Sequence, residues 1–319
     1  MRALALVATL LFAALAPPAA GQTAPYRAGI ALVSVPARVP FDTVVWYPTQ
    51  AEEQPWSLDK FTVPATRDAA FAPGRFPIVL LSHGGGLTGG SPLILREQSS
   101  TLARQGFVVI APFHGTARLA LRPLQVTWAL TAVLADARFA PHVDPARLGM
   151  VGFSLGTAVT LELAGAVPNA AHLVSYCAAH PEDAMSCDHA PGGGNAPPRP
   201  SGPPPTPVPL PLKAIVLLDP FAVLFQHDEL TAVTMPVLVF RPEQSQLPGQ
   251  ANAFALVAAL PHPPQFQIVP GRHFVFTDVC PEERRATARE LCEDPPRVDR
   301  AAVHRAVEAE IVTFLRAHL

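Results

Sequence analysis

The sequence predicts an α/β protein, with a mainly parallel central sheet covered by helices on both faces. Three observations predict it. Short, continuous apolar runs recur along the chain, helix-compatible stretches separate them, and the glycine- and acid-bearing motifs fall just beyond the runs' C-terminal ends. Continuous rather than alternating apolar runs mark strands buried on both faces, and strands alternating with helices give parallel sheets.

The first strand expected is FDTVVWYPTQ, from Phe41 to Gln50, rich in β-branched and aromatic residues and closing near a proline. FPIVLLSHGGG, GFVVIAPFHG, ARLGMVGFSLG, LKAIVLLDP, MPVLVFRPE and PQFQIVPGRHF follow as further strands with their loops. Helices are expected in PLILREQSSTLARQ, in LQVTWALTAVLADARFA (Leu124 to Ala140), in LGTAVTLELAGAV and in NAFALVAAL. The closing stretch VDRAAVHRAVEAEIVTFLRAHL carries an apolar stripe of Val303, Val307, Ile311 and Phe314 or Leu315. Ligands of such sheets bind beyond the C-terminal strand ends.

The chain has 319 residues, 49% of them hydrophobic, and a net charge of −2, which allows a large core and excludes the basic footprint of a nucleic-acid binder. No period of solenoid or propeller length repeats. One arginine, an apolar run from Ala3 to Leu15 and then small residues and prolines have the anatomy of a secretory signal peptide. The run is too short to span a bilayer, which takes about 18 apolar residues or more. Cleavage is expected after Gly21, with Ala19 and Gly21 at the small-residue positions, leaving 22–319 as one domain, periplasmic or secreted. No cysteine near the site suggests a lipid anchor.

Export gives the four cysteines a reading. Cys177 and Cys187 lie ten apart and Cys280 and Cys292 twelve apart, which makes two local disulfides the expectation, with other connectivities open. The rival is a metal site with His180 and His189, whose spacing to Cys177 and Cys187 matches no zinc pattern. A Pro-rich insert at about 188–212, with ten prolines between Pro191 and Leu212, is expected to be an extended surface loop.

VGFSLGTAV raises the central question, because Gly-x-Ser-x-Gly arises by chance in about one protein in ten of this length. Here a strand precedes Ser154 and a helix follows it, the context that lifts a serine hydroxyl above a sheet as a nucleophile. The N–H of Leu155, next along, is one expected oxyanion donor; Gly85, in the glycine loop LLSHGGG, is the other, with Gly84 and Gly86 as neighbours. His83 is expected to brace that loop. The base should come late in the chain, and His273 in IVPGRHFVF follows the last strand; the other ten histidines lack either a strand end or the right order. For the acid, Asp219 at the tip of AIVLLDP is favoured over Glu243, past the next strand.

On VVWYPT, LSHGGG, GFVVIAPFHGT, VDPARLGMVGFSLG, AIVLLDP, PVLVF, PGRHFVFTDVC and the closing DRAAVH helix, the chain resembles the α/β-hydrolase fold. Within it the chain resembles the exported bacterial branch of predicted dienelactone hydrolases, similar to platelet-activating-factor acetylhydrolases. The resemblance implies a serine esterase with Ser154, Asp219 and His273 as triad and Gly85 and Leu155 as oxyanion donors, with an amidase or peptidase using the same triad, or a non-catalytic binding protein of this fold, as the alternatives. It also implies a small-molecule ester substrate and no metal or organic cofactor. Three departures stand out. Ser154 replaces the cysteine of true dienelactone hydrolases, Thr157 stands where relatives usually have a second glycine, and the Pro-rich insert has no counterpart.

Overall fold

In a computed structural model, the structure describes residues 25–58, 60–85, 90–187, 207–280 and 282–319. The expected signal peptide, Gly86, His189 and the insert up to residue 206 therefore lie outside the described residues.

The strands in chain order are β1 (Arg27–Val35), β2 (Phe41–Thr49), β3 (Trp56–Leu58), β4 (Phe61–Val63), β5 (Thr66–Arg67) and β6 (Phe76–Ser82), then β7 (Val108–Pro112), β8 (Val143–Phe153), β9 (Ala214–Leu218), β10 (Val237–Pro242) and β11 (Gln265–Val269). The helices are α1 (Arg96–Arg104), α2 (Arg122–Ala135), α3 (Leu155–Leu163), α4 (Ala170–Ala179), α5 (Ala184–Cys187), α6 (Ala253–Ala259), α7 (Glu282–Arg285), α8 (Arg289–Cys292) and α9 (Arg300–His318). Nine strands form one sheet in the order β11-β10-β9-β8-β6-β7-β2-β1-β5, and β3 and β4 make a separate hairpin. From β7 to β11 every pairing is parallel, whereas β2 joins β7 and β1 in antiparallel register.

Alternation along the central strands divides the core. Ile78, Leu80, Val108, Ile110, Met150, Ile215 and Leu217 face one layer, packed with Val126, Ala129 and Val133 of α2 and Ala158 and Val159 of α3. Val79, Leu81, Val109, Val151, Phe153, Val216 and Leu218 face the other, against Leu102 of α1 and Val303, Val307, Ile311, Phe314 and Leu315 of α9. The expected C-terminal stripe is thus the inner face of α9. Asp299 caps that helix by accepting the Ala302 N–H at 3.1 Å.

Some expectations shift. The second predicted helix ends at Ala135 rather than Ala140, because Asp136 turns to an extended ψ of 121° and its carboxylate takes the Arg138 N–H and guanidinium. β11 is not buried on both faces; it is the sheet's border, with Ile268 54% exposed. No helix among the described residues is long and apolar enough to cross a membrane. Both expected cysteine pairs are bonded, Cys177–Cys187 and Cys280–Cys292, so the metal reading of Cys177 and Cys187 is set aside. His180 instead meets Glu182 at 3.1 Å and packs on Tyr176.

Candidate active site

The turn between β8 and α3 is strained at one residue, and that residue is Ser154, with φ +54° and ψ −123°. A non-glycine backbone held there costs on the order of 1–3 kcal/mol, so the surroundings must enforce it. They do so from both sides. The Ser154 N–H donates to the Leu218 carbonyl of β9 at 3.0 Å, and the Ser154 carbonyl accepts the Thr157 N–H at 2.9 Å and the Thr157 hydroxyl at 2.6 Å. The two flanking glycines serve a different need. A Cβ on Gly156 would run into the Ser82 carbonyl, and one on Gly152 into the Gly156 carbonyl and the Thr160 hydroxyl. Close approach of α3 to the strand ends, not a positive φ, demands them.

Asp219 follows β9 directly, at φ +40°, its N–H donating to the Phe240 carbonyl at 2.8 Å. His273 arrives 54 residues later, past β11 and a left-handed Gly271 at φ +118°. The three side chains form one line. His273 Nδ1 lies 2.6 Å from Asp219 Oδ2, and His273 Nε2 lies 2.9 Å from Ser154 Oγ. An ionised carboxylate only accepts, so Nδ1 carries the proton and Nε2 offers its lone pair to the serine hydroxyl. Asp219 and His273 are 1% and 2% exposed while Ser154 is half-buried, so the line opens to solvent at the hydroxyl end. The imidazole also stacks on Phe153, with ring centroids 5.0 Å apart.

Glu243 does not join them: it is exposed, its N–H bonded to the Val269 carbonyl. Its loop contributes otherwise. The Ser245 hydroxyl donates to Asp219 Oδ2 at 2.6 Å, and the Gln246 side-chain carbonyl accepts the His273 N–H at 2.9 Å.

The glycine loop also comes to the serine. A Cβ on Gly84 would lie 2.8 Å from the Ser154 Cβ, and Gly85, next along, is exposed at φ +93°. Leu155 is the first residue of α3, so its N–H has no acceptor within the helix. Leu155 thus directly follows Ser154, and Gly85 follows the glycine that packs against it.

No protein-family model matches the chain, and no curated protein matches it. Among solved structures it is similar to a ferulic acid esterase from Streptomyces cinnamoneus, with a TM-score of 0.59 and 18% identity, over 95% of this chain and 92% of that one. The fold is that of the α/β-hydrolases. At that identity the likeness shows the fold alone.

An α/β-hydrolase sheet presents its loops at the C-terminal strand edge, and here six consecutive strands, β6 to β11, each bring polar side chains there. Several were not foreseen. Arg122, fully buried, donates to the Gly85 carbonyl at 2.7 Å, to the His83 carbonyl at 3.4 Å and to the Ala117 carbonyl at 3.1 Å. His83 does brace the loop as expected, its Nδ1 donating to the Gly84 carbonyl at 2.7 Å while Nε2 accepts the His114 N–H. His114 in turn bridges the Ser82 hydroxyl at 3.0 Å and the Gln125 side chain at 2.9 Å. Burial lowers His83 to about 3 and holds His114 well below its usual value, with Arg122 adding to both, so the two stay neutral donors and acceptors. Burial also lowers Arg122 to about 10, which leaves it charged at neutral pH.

Thr157 links two parts of the site. Its hydroxyl takes the Phe221 N–H at 2.9 Å while bonding the Ser154 carbonyl, so the Ser154 turn and the loop after Asp219 share one hydroxyl. Asn252, fully buried, holds the same loop from behind, accepting the Ala222 and Val223 N–H groups at 2.8 and 3.2 Å. A groove of about 1070 Å³ lies beside these elements, lined by residues of α4, α5 and α6, and reaches the site through Gln246. Ser154 is not among its lining residues.

Proposed function

We propose that the protein is an exported serine hydrolase that cleaves carboxylic esters through Ser154, His273 and Asp219. The observation that carries the reading is the continuous line from Asp219 Oδ2 through His273 to Ser154 Oγ, at 2.6 and 2.9 Å, with the serine on a strained turn. A serine hydroxyl is a weak nucleophile until a base takes its proton, and this line supplies base and orienting carboxylate together.

Ser154 Oγ attacks the ester carbonyl carbon as its proton passes to His273 Nε2. Asp219 holds the Nδ1–H and stabilises the imidazolium. The N–H groups of Gly85 and Leu155 donate to the tetrahedral oxyanion, and each donor is worth roughly 3–4 kcal/mol at the transition state. The C–O bond to the alcohol breaks as Nε2 returns the proton to it. Water, deprotonated by the same nitrogen, then attacks the acyl-serine, and collapse of the second oxyanion frees the acid and restores Ser154. These steps need no metal or organic cofactor.

The likeness to a ferulic acid esterase supports ester bonds as the target. The resemblance to exported dienelactone-hydrolase-like and acetylhydrolase-like proteins supports a small acyl ester as substrate. The N-terminal apolar run and the two disulfides support export, and the one large sheet supports a single domain over 22–319. A fluorophosphonate probe tests the reading. Mass spectrometry finds the adduct on Ser154, Ser154→Ala blocks it, and nitrophenyl acetate is turned over while the matching anilide is not. An unlabelled Ser154 in folded protein refutes catalysis; anilide turnover at a similar rate refutes the ester assignment.

A further inference from the structure

Behind the segment that follows His273, three side chains from distant parts of the chain converge with nothing in the proposed reaction to explain them. Glu97 lies in the first turn of α1, Asp278 lies five residues past His273, and His304 sits in the second turn of α9. One ligating atom from each lies within 4.8 Å of the other two. Oxygen and nitrogen ligands about 2.1 Å from a tetrahedral ion are roughly 3.4 Å apart, so side-chain movements of under about 1 Å would close the set around a cation.

Two further details leave ligand atoms unused. Asp278 is 4% exposed and its Oδ2 is taken by Arg96 at 2.8 Å and the Glu97 N–H at 3.2 Å, yet its buried Oδ1 has no hydrogen-bond partner. A buried carboxylate oxygen left bare costs free energy unless something fills its place. His304 donates Nε2–H to the Val275 carbonyl at 2.7 Å, which leaves the Nδ1 lone pair for a ligand. A backbone carbonyl holding the far N–H is the usual support of a metal-bound histidine.

Glu308, one turn beyond His304, adds a third carboxylate, bonded to the Thr101 hydroxyl at 2.8 Å. Against three carboxylates stands Arg96, while Arg104 and Arg300 are committed to Glu53 and Asp294.

We propose that Glu97, Asp278 and His304 form a divalent-cation site of the zinc class, tying α1, the segment after His273 and α9 together. Two carboxylates and an imidazole suit Zn²⁺ better than the all-oxygen shells that Mg²⁺ and Ca²⁺ take. The site is structural: its ion would fix the Val275 carbonyl through His304 and so steady the turn that carries His273. It stands independently of the ester reading.

The test uses the disulfide-intact full chain, stripped with chelator and titrated with ZnCl₂ by calorimetry, alongside thermal melts with ZnCl₂, CaCl₂ or MgCl₂. One equivalent of Zn²⁺ binds at micromolar concentration or tighter and raises Tm by several degrees. Glu97→Gln and His304→Gln each weaken binding at least tenfold and abolish the shift. Among the described residues Glu97 makes no side-chain hydrogen bond, so its variant folds even where Asp278→Asn does not. Absence of binding below millimolar Zn²⁺ overturns the site, as does binding untouched by both variants, and a response to Ca²⁺ alone overturns the zinc assignment.

Discussion

Replacing Thr157 with valine removes one hydroxyl and almost no volume. In the structure that hydroxyl donates to the Ser154 carbonyl at 2.6 Å and accepts the Phe221 N–H at 2.9 Å, inside a fully buried setting. Neither partner is wholly stranded by its loss. The Ser154 carbonyl keeps the Thr157 N–H at 2.9 Å, and the Phe221 N–H keeps a long 3.4 Å contact with that same carbonyl. The cost therefore falls toward the low end for a buried donor, about 1–2 kcal/mol. If all of it appears in alignment of Ser154 with the acid loop, kcat falls about 5- to 30-fold. If it appears as stability instead, Tm drops by roughly 2–6 °C. Steady-state hydrolysis of nitrophenyl acetate, with a melting curve on the same samples, separates the two. The expected result is a fall in kcat with KM within about twofold, and recovery in Thr157→Ser, which keeps the hydroxyl. Wild-type kcat in Thr157→Val, or no recovery in Thr157→Ser, refutes the claim that this hydroxyl joins the two halves of the site.

Burial raises Glu162 to about 8 with no partner on its Oε1, so the folded state holds a proton that the unfolded chain releases near pH 4.5. Its stability contribution is full below about pH 4.5 and is lost as pH rises toward 8. Glu162→Gln therefore raises Tm at pH 8 and changes it little at pH 4.5, measured by fluorimetry across that range. Arg122→Lys cannot span three carbonyls with one ammonium, so the Gly85 loop loosens; kcat falls at least tenfold with KM nearly constant in the same ester assay. Replacing Cys177 and Cys187 together with serine lowers unfolding free energy by about 3 kcal/mol in denaturant titration. Probe labelling of Ser154 persists in that variant at 25 °C, because neither cysteine touches the triad.

Ser154, Asp219 and His273 were legible because each follows an apolar run, and strand ends are a local signal. What holds them was not. Arg122 reaches Gly85 across 37 residues, and Ser245 reaches Asp219 across 26, with no motif to announce either contact. The loop that carried the rejected acid, Glu243, turned out to supply Ser245 and Gln246, a role visible only once β9, β10 and β11 lie side by side. α4 escaped notice for a different reason: among its ten residues only Leu173 is buried, so no apolar stripe exists to read. β1 carries Gly29 mid-run, where a Cβ would strike the Tyr47 ring; glycine there reads as a breaker but is a packing requirement. The strain also sat elsewhere than the motif suggests, on the serine and not on its glycines.

β11 has a neighbour on one side only, and His273 hangs from its end. Ser154 and Asp219 stand on interior strands clamped from both sides, so two of the three groups outlast most partial openings of the sheet. The third travels with the strand that peels first, since a border strand loses all its ladder bonds by parting from one partner. On the proposed mechanism, loss of function on heating precedes loss of fold, and the interval between them measures how firmly a single seam, β10 to β11, is closed. Cross-linking that seam would lengthen the working life of the protein without altering a residue near the serine.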